Sequence, residues 1–213
     1  MENRIEHREF ISDYDNRKFT LPYLICPEVE LSINQKEMTL TDESCILLQD
    51  YYKDLSQSSL NSNGIGIIFG TFDHLHAGHR AMLNAAKSLC SELYVGIEDQ
   101  TIALRRKNNK HAIQSNSQRK QQLIEEGITQ PDHVFVRTNA LFDIKRYNLK
   151  GIRISTLFVG ETQKDNKEIV DAVEYCRSIG VNVVAITRLK TKDKSQEISS
   201  TMLHQINSKD YSK

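Results

Sequence analysis

Five short runs, Gly66–Phe69, Leu93–Ile97, Val134–Val136, Leu157–Val159 and Val181–Ile186, are almost purely apolar and recur at intervals down the chain. A strand with no polar face must be covered on both sides, which is the condition of a parallel sheet packed between helices. Helical patterns lie between these runs. Met82, Ala85, Ala86, Leu89 and Leu93 fall on one helix face, although Leu93 is equally placed to open the next strand. Ile169, Val173 and Cys176 mark a second helix, with Asp165 and Glu168 spaced as a capping box and Gly180 as its stop. Ser117–Gly127 reads as a third. Strands alternating with helices predict right-handed crossovers and a doubly wound α/β sheet, which binds ligands at the carboxyl ends of its strands near a topological switch point.

The stretch Ser56–Gly64, SQSSLNSNG, has too few apolar residues to bury and reads as a linker. It separates an N-terminal extension, 1–63, from an α/β domain, 64–213. In the extension, Phe19–Cys26 is predicted to be extended but interrupted at Pro22. Thr41–Leu55 is predicted to be a helix capped by Thr41, with Leu48, Tyr51, Tyr52 and Leu55 along one face. The pattern assigns this extension no chemistry.

Lys plus Arg and Asp plus Glu number 28 each in 213 residues, so the overall balance does not point to a nucleic-acid or membrane-surface partner, and any polyanion site must be local. Cys26, Cys45, Cys90 and Cys176 are widely spaced, with no CxxC pair, and read as reduced thiols. The first residues are charged, and no apolar run reaches the roughly 20 residues of a membrane span. These features predict a soluble, cytoplasmic protein.

Chemistry concentrates in Gly70–His79, GTFDHLHAGH, which holds three histidines at a strand-to-helix connection. Backbone N–H groups at a helix start lack partners and favour a bound phosphate. Imidazoles beside them add donors, and Gly78 admits a close backbone approach. Zinc ligation by His74, His76 and His79 is the weaker reading, because no HExxH-type motif accompanies them. An ordinary surface loop is also weaker, because Gly70, Thr71, Asp73, His76, Gly78 and His79 share one connection.

The segment His76-Ala77-Gly78-His79 resembles the HxGH signature of the nucleotidylyltransferase superfamily, and Ile198-Ser199-Ser200-Thr201 is similar to its ISST turn. Those proteins join a nucleoside triphosphate to a phosphate-bearing substrate and release pyrophosphate. Together with Val95–Asp99 (VGIED) and Phe158–Thr162 (FVGET), the likeness is greatest to phosphopantetheine adenylyltransferases of the archaeal and eukaryotic type, over about Gly66–Gln205. The resemblance implies ATP and 4′-phosphopantetheine as substrates, with Mg2+ escorting the triphosphate. It implies catalytic roles for His79, His76 and Lys107. Nucleotide or phosphate contacts are implied for Gly70, Thr71, Phe72, Asp73, Gly78, Glu161, Ser199, Ser200 and Thr201. The basic loop Leu104–Lys110 leaves Arg105, Arg106 and Lys110 as alternatives to Lys107, and Arg119 and Lys120 form a weaker basic pair.

Two positions differ from the family pattern. Phe69 stands where a second glycine is usual, which predicts a narrower phosphate site, and His204 stands where a fixed cation is usual. Two other functions therefore remain open: a cytidylyltransferase acting on a small phosphorylated alcohol, and a non-catalytic nucleotide-binding adaptor. No Walker A motif is present, and the chain is too short for a class I aminoacyl-tRNA synthetase.

Overall fold

A computed structural model describes residues 4–34, 37–106 and 113–192. The chain opens with an antiparallel hairpin of β1 (Ile5–Ile11) and β2 (Lys18–Leu24). Three short strands follow, β3 (Glu28–Val29) and the antiparallel pair β4 (Leu31–Asn34) and β5 (Glu37–Leu40). Then comes α1 (Asp42–Ser56), capped by the Thr41 side chain accepting from the Ser44 N–H, as its sequence predicts.

The α/β part runs β6 (Ile65–Gly70), α2 (Ala77–Lys87), β7 (Glu92–Glu98), α3 (Gln100–Arg106), α4 (Asn116–Glu125), β8 (Val134–Arg137), α5 (Ala140–Leu149), β9 (Ile154–Gly160), α6 (Lys167–Ser178), β10 (Asn182–Ile186) and β11 (Lys190–Thr191). Leu93 belongs to β7, not to the preceding helix. The cap of α6 is Asn166, whose side chain accepts from the Glu168 N–H, so the Asp165–Glu168 box is replaced by a cap one residue later. Gly180, at φ +75°, takes the left-handed conformation beyond that helix.

Seven strands form one sheet in the order β1-β2-β10-β9-β6-β7-β8, parallel except for β1. The hairpin therefore extends the α/β sheet. Tyr23 and Leu24 lie against Ala185 and Ile186 of β10. Pro22 does not interrupt β2. It has no N–H to give, and the ladder to β10 begins only at Tyr23, so none is required there.

Alternation along the strands divides the core into two. Ile68, Val95, Ile97, Phe158 and Val184 face α1, α2 and α4, where Tyr51, Leu55, Leu83, Ala86 and Leu123 cover them. Ile67, Phe69, Leu157, Val159 and Ala185 face α5 and α6, where Ile144, Ile169, Val173 and Cys176 do the same. Helices on both faces of a mostly parallel sheet make the doubly wound fold that the strand pattern predicts. Among the described residues no helix is long and apolar enough to cross a membrane.

The Phe69 ring belongs to this second core. It is 1 % exposed and packs edge-on against Phe135, with ring centroids 6.3 Å apart. It lies over Gly96, where an added Cβ would stand 2.5 Å from Phe69 Cδ1 and 2.8 Å from Cε1. The ring predicted to narrow the phosphate site is turned into the core by strand alternation, while the residue still borders the cleft, where its carbonyl accepts from Gln163. Gly96→Ala is expected to lower stability by about 1–3 kcal/mol through overpacking. A thermal melt matching that of the parent protein would show the ring can move aside.

Candidate active site

From β6 the chain passes to β7 and β8 on one side, then returns to β9 and β10 on the other. The switch point is the gap between the carboxyl ends of β6 and β9, where a crevice is expected. The ladder between these strands stops at Ile68 and Phe158. Beyond it the Gln163 side chain bridges the split, accepting from the Gly160 N–H at 2.8 Å and donating to the Phe69 carbonyl at 2.8 Å. Above this bridge lies a cleft of about 360 Å³. Sequence reasoning did not single out Gln163, because its role depends on two backbone groups brought together only by the sheet.

One wall of the cleft is the connection from β6 to α2. Phe72 and His74 adopt left-handed backbone angles, φ 49° and 46°, which coil the connection tightly. Phe72 is buried and folds back over Gly70, where a Cβ would stand 2.6 Å from the ring. Asp73 is also buried and accepts from the Gln114 N–H at 2.9 Å, stapling the turn to the segment before α4. His76 caps α2, its Nδ1 accepting from the His79 N–H at 3.3 Å. With Nδ1 accepting, the ring proton sits on Nε2, which is then a donor. The His76 and His79 rings stack with centroids 3.7 Å apart, and Phe72 meets His79 edge-on at 5.6 Å. The stack fixes both imidazoles at the positive end of the helix.

The rim toward β7 is built from charge. Glu98, 3 % exposed at the end of β7, accepts from Thr71 Oγ1 at 2.8 Å and from Arg106 Nε and Nη2 at 3.2 and 2.8 Å. Arg137 Nη2 reaches the same carboxylate at 3.1 Å, and its Nη1 reaches Glu168 at 3.0 Å. Burial pushes the Glu98 carboxyl upward, but hydrogen bonds from Arg106 and Thr71 and the charges of both arginines outweigh it and hold it below the ordinary value. The hydrogen bond to Glu98 raises Arg106 in turn. Opposite this rim, Glu161 accepts from the Arg188 N–H at 2.7 Å, tying the turn after β9 to the chain leaving β10.

Of the residues predicted from sequence, Gly70, Thr71, Phe72, Asp73, His76, Gly78, His79 and Glu161 all border this one cleft, joined by Arg106. Lys107, Lys110, Ser199, Ser200, Thr201 and His204 lie outside the described residues. Arg119 is no surface cation: it is fully buried in α4 and bonded to the backbone beneath the turn. Glu98, Gln163 and Arg137 were not predicted. Each carries a side chain common on protein surfaces, and only its long-range partner reveals a role.

Residues 67–206 match the family model described as cytidylyltransferase-like. Over 88 residues the chain is 26% identical to the bifunctional protein HldE of Rhodospirillum rubrum, a match covering 41% of this chain but only 18% of that protein's length. Among solved structures it is similar to the lipopolysaccharide core biosynthesis protein from Thermoplasma volcanium GSS1, at 20% identity and a TM-score of 0.44, covering 61% of this chain and 98% of that one. The family match extends from within β6 past the end of β10, so both walls of the cleft fall within it. The chain belongs to the cytidylyltransferase-like family.

Proposed function

We propose that the chain transfers a cytidylyl group from CTP to the phosphate of a small phosphorylated alcohol, a sugar phosphate being one such acceptor, and releases pyrophosphate. The observation that carries this reading is the stacked His76–His79 pair at the start of α2, set in a switch-point cleft that Arg106 also lines. The family match supports the choice of nucleotide.

In this reaction an oxygen of the acceptor phosphate attacks the α-phosphorus in line, a new P–O bond forms, and the bond to pyrophosphate breaks with its electron pair leaving on the pyrophosphate oxygen. No enzyme nucleophile is needed, so the chain acts by positioning and by donors that meet growing negative charge. The N–H groups of the first turn of α2 and the imidazoles of His76 and His79 are proposed to receive the departing pyrophosphate. Mg2+ enters as part of the substrate, bound to the triphosphate oxygens. Lys107 and the hydroxyls of Ser199, Ser200 and Thr201 are proposed to complete the phosphate contacts.

A second reading, adenylyl transfer from ATP to 4′-phosphopantetheine, is favoured by the motifs GTFDHLHAGH, VGIED, FVGET and ISST. Pyrophosphate release measured with CTP and with ATP, each against a panel of sugar and polyol phosphates and 4′-phosphopantetheine, separates the two. Release with CTP and a sugar or polyol phosphate is expected. Release only with ATP and 4′-phosphopantetheine would establish the second reading. Silence with every pair, alongside measurable nucleotide binding, would leave the adaptor.

A further inference from the structure

We propose that Glu98 is a positioning residue that draws the Thr71 hydroxyl away from the substrate and aims Arg106, so that the guanidinium is the side-chain donor on this rim that reads a substrate phosphate. The inference rests on the reading above for the identity of the ligand, a phosphate or pyrophosphate group in the cleft.

A threonine hydroxyl has a single proton to donate. That of Thr71 goes to Glu98 Oε2 at 2.8 Å, while its oxygen accepts from Arg106 Nη2 at 2.9 Å. A phosphate oxygen in the cleft therefore meets a hydroxyl already committed inward. To take that proton the phosphate must displace a carboxylate, and the two anions would repel.

Arg106 is differently placed. Its Nε and Nη2 form a two-point pair with Glu98. That arrangement leaves the Nη1 edge, with two N–H groups, bearing no hydrogen bond to any other described residue. The side chain is 54% exposed and borders the cleft. Glu98 is shared with Arg137, which Glu168 also holds, so the two guanidiniums and two carboxylates balance and what Arg106 presents to the cleft is its pair of Nη1 donors rather than net charge.

Local sequence builds the device economically. Asp99 accepts from the Thr101 N–H at 2.9 Å and so fixes the start of α3, while its neighbour Glu98 grips Arg106 at the end of the same helix. Adjacent carboxylates thereby set where α3 begins and where its last side chain points.

Calorimetric titration of the full chain with inorganic pyrophosphate and with inorganic phosphate tests this, with thermal melts to check folding. Arg106→Ala is expected to weaken pyrophosphate binding at least about tenfold, the scale of one lost charge-assisted bond. Thr71→Val, which keeps the shape and removes the hydroxyl, should weaken it clearly less than Arg106→Ala does, because Arg106 keeps its two-point pair with Glu98. Glu98→Gln should weaken it in the parent background and have no further effect in Arg106→Ala, since it acts through that residue. Phosphate weakened in parallel with pyrophosphate would assign the guanidinium to either substrate's phosphate, and pyrophosphate weakened alone to the leaving group. Loss of binding in Thr71→Val equal to that in Arg106→Ala overturns the proposal, as do multiplicative effects of Glu98→Gln and Arg106→Ala or a parent protein that binds neither anion. If Glu98→Gln does not fold, the Arg106 and Thr71 variants still decide. A chain that binds pyrophosphate as described but releases none from any nucleotide would sink the functional reading and leave this one standing.

Discussion

His79→Ala will reduce nucleotidyl-transfer turnover by about 10²- to 10³-fold, the scale for removing one preorganised donor from a developing oxyanion, while the protein melts as the parent does. The asymmetry between the two signature histidines makes this informative. His76 has a structural task as well, since its Nδ1 caps α2 by accepting from the His79 N–H. His76→Ala should therefore lose stability as well as rate, by about 1 kcal/mol for the missing cap, or about 2–4 °C in melting temperature for a chain of this size. His76→Asn should restore the melt, because asparagine is a good cap, without restoring the rate. His79 contributes its backbone N–H to that cap, which alanine retains, so the cap survives the loss of its imidazole. The comparison uses pyrophosphate release and thermal melts on the same preparations. A His79→Ala protein that turns over normally would remove the chemistry from this turn altogether.

What the sequence could and could not announce follows from the range of the interactions. The parallel strands are readable because their burial on both faces leaves no polar residue in them, a local property. The Thr41 cap and the strand-to-helix turn are local too. Helix α5 escapes the same reasoning because its pattern points the wrong way: Phe142 and Leu149 are 58% and 89% exposed, while Asp143 is fully buried among the core-facing Ala140 and Ile144. Burial of that carboxylate depends on Thr138, whose N–H and hydroxyl it accepts at 3.0 and 3.3 Å, and on Arg146 at 3.1 Å. Helix α3 hides in the same manner, with Ala103 buried and the larger Ile102 left 44% exposed. At the site, the glycines and histidines announce themselves by their rarity in one short segment. Glu98 and Arg137, 39 residues apart, do not, since nothing in either neighbourhood distinguishes a buried ion pair from two solvated charges.

Arg119 carries this limit furthest and yields the largest expected loss of stability. Read from sequence it is one of two adjacent cations on a helix; in the fold its side chain is wholly excluded from solvent. Its Nη1 donates to the Thr71 carbonyl at 2.7 Å, its Nε to the Gln114 carbonyl at 3.1 Å, and its Nη2 to Asn116 Oδ1 at 2.6 Å. The β6–α2 turn, the segment before α4 and α4 itself thus converge on one guanidinium. Burial lowers its affinity for the proton, opposed by the nearby charges of Asp73, Glu98 and Asp99, and the group remains a cation because an arginine begins so far above neutrality. Arg119→Ala would leave the partly buried Thr71 and Gln114 carbonyls without this donor, Asn116 Oδ1 with only the Gln100 N–H, and Asp73, Glu98 and Asp99 without one nearby positive charge. The expected loss is about 3–5 kcal/mol, read from the midpoint of urea unfolding. Arg119→Lys should recover little of it, because an ammonium cannot address three acceptors spread around a planar fork. Because the Thr71 carbonyl is one of the three, both variants should also weaken pyrophosphate binding under conditions where they remain folded. A loss below about 1 kcal/mol in Arg119→Ala would mean that water replaces the guanidinium at no great penalty, and that the other contacts of the turn, those of Thr71, Phe72, Asp73 and the His74 N–H, suffice to hold it.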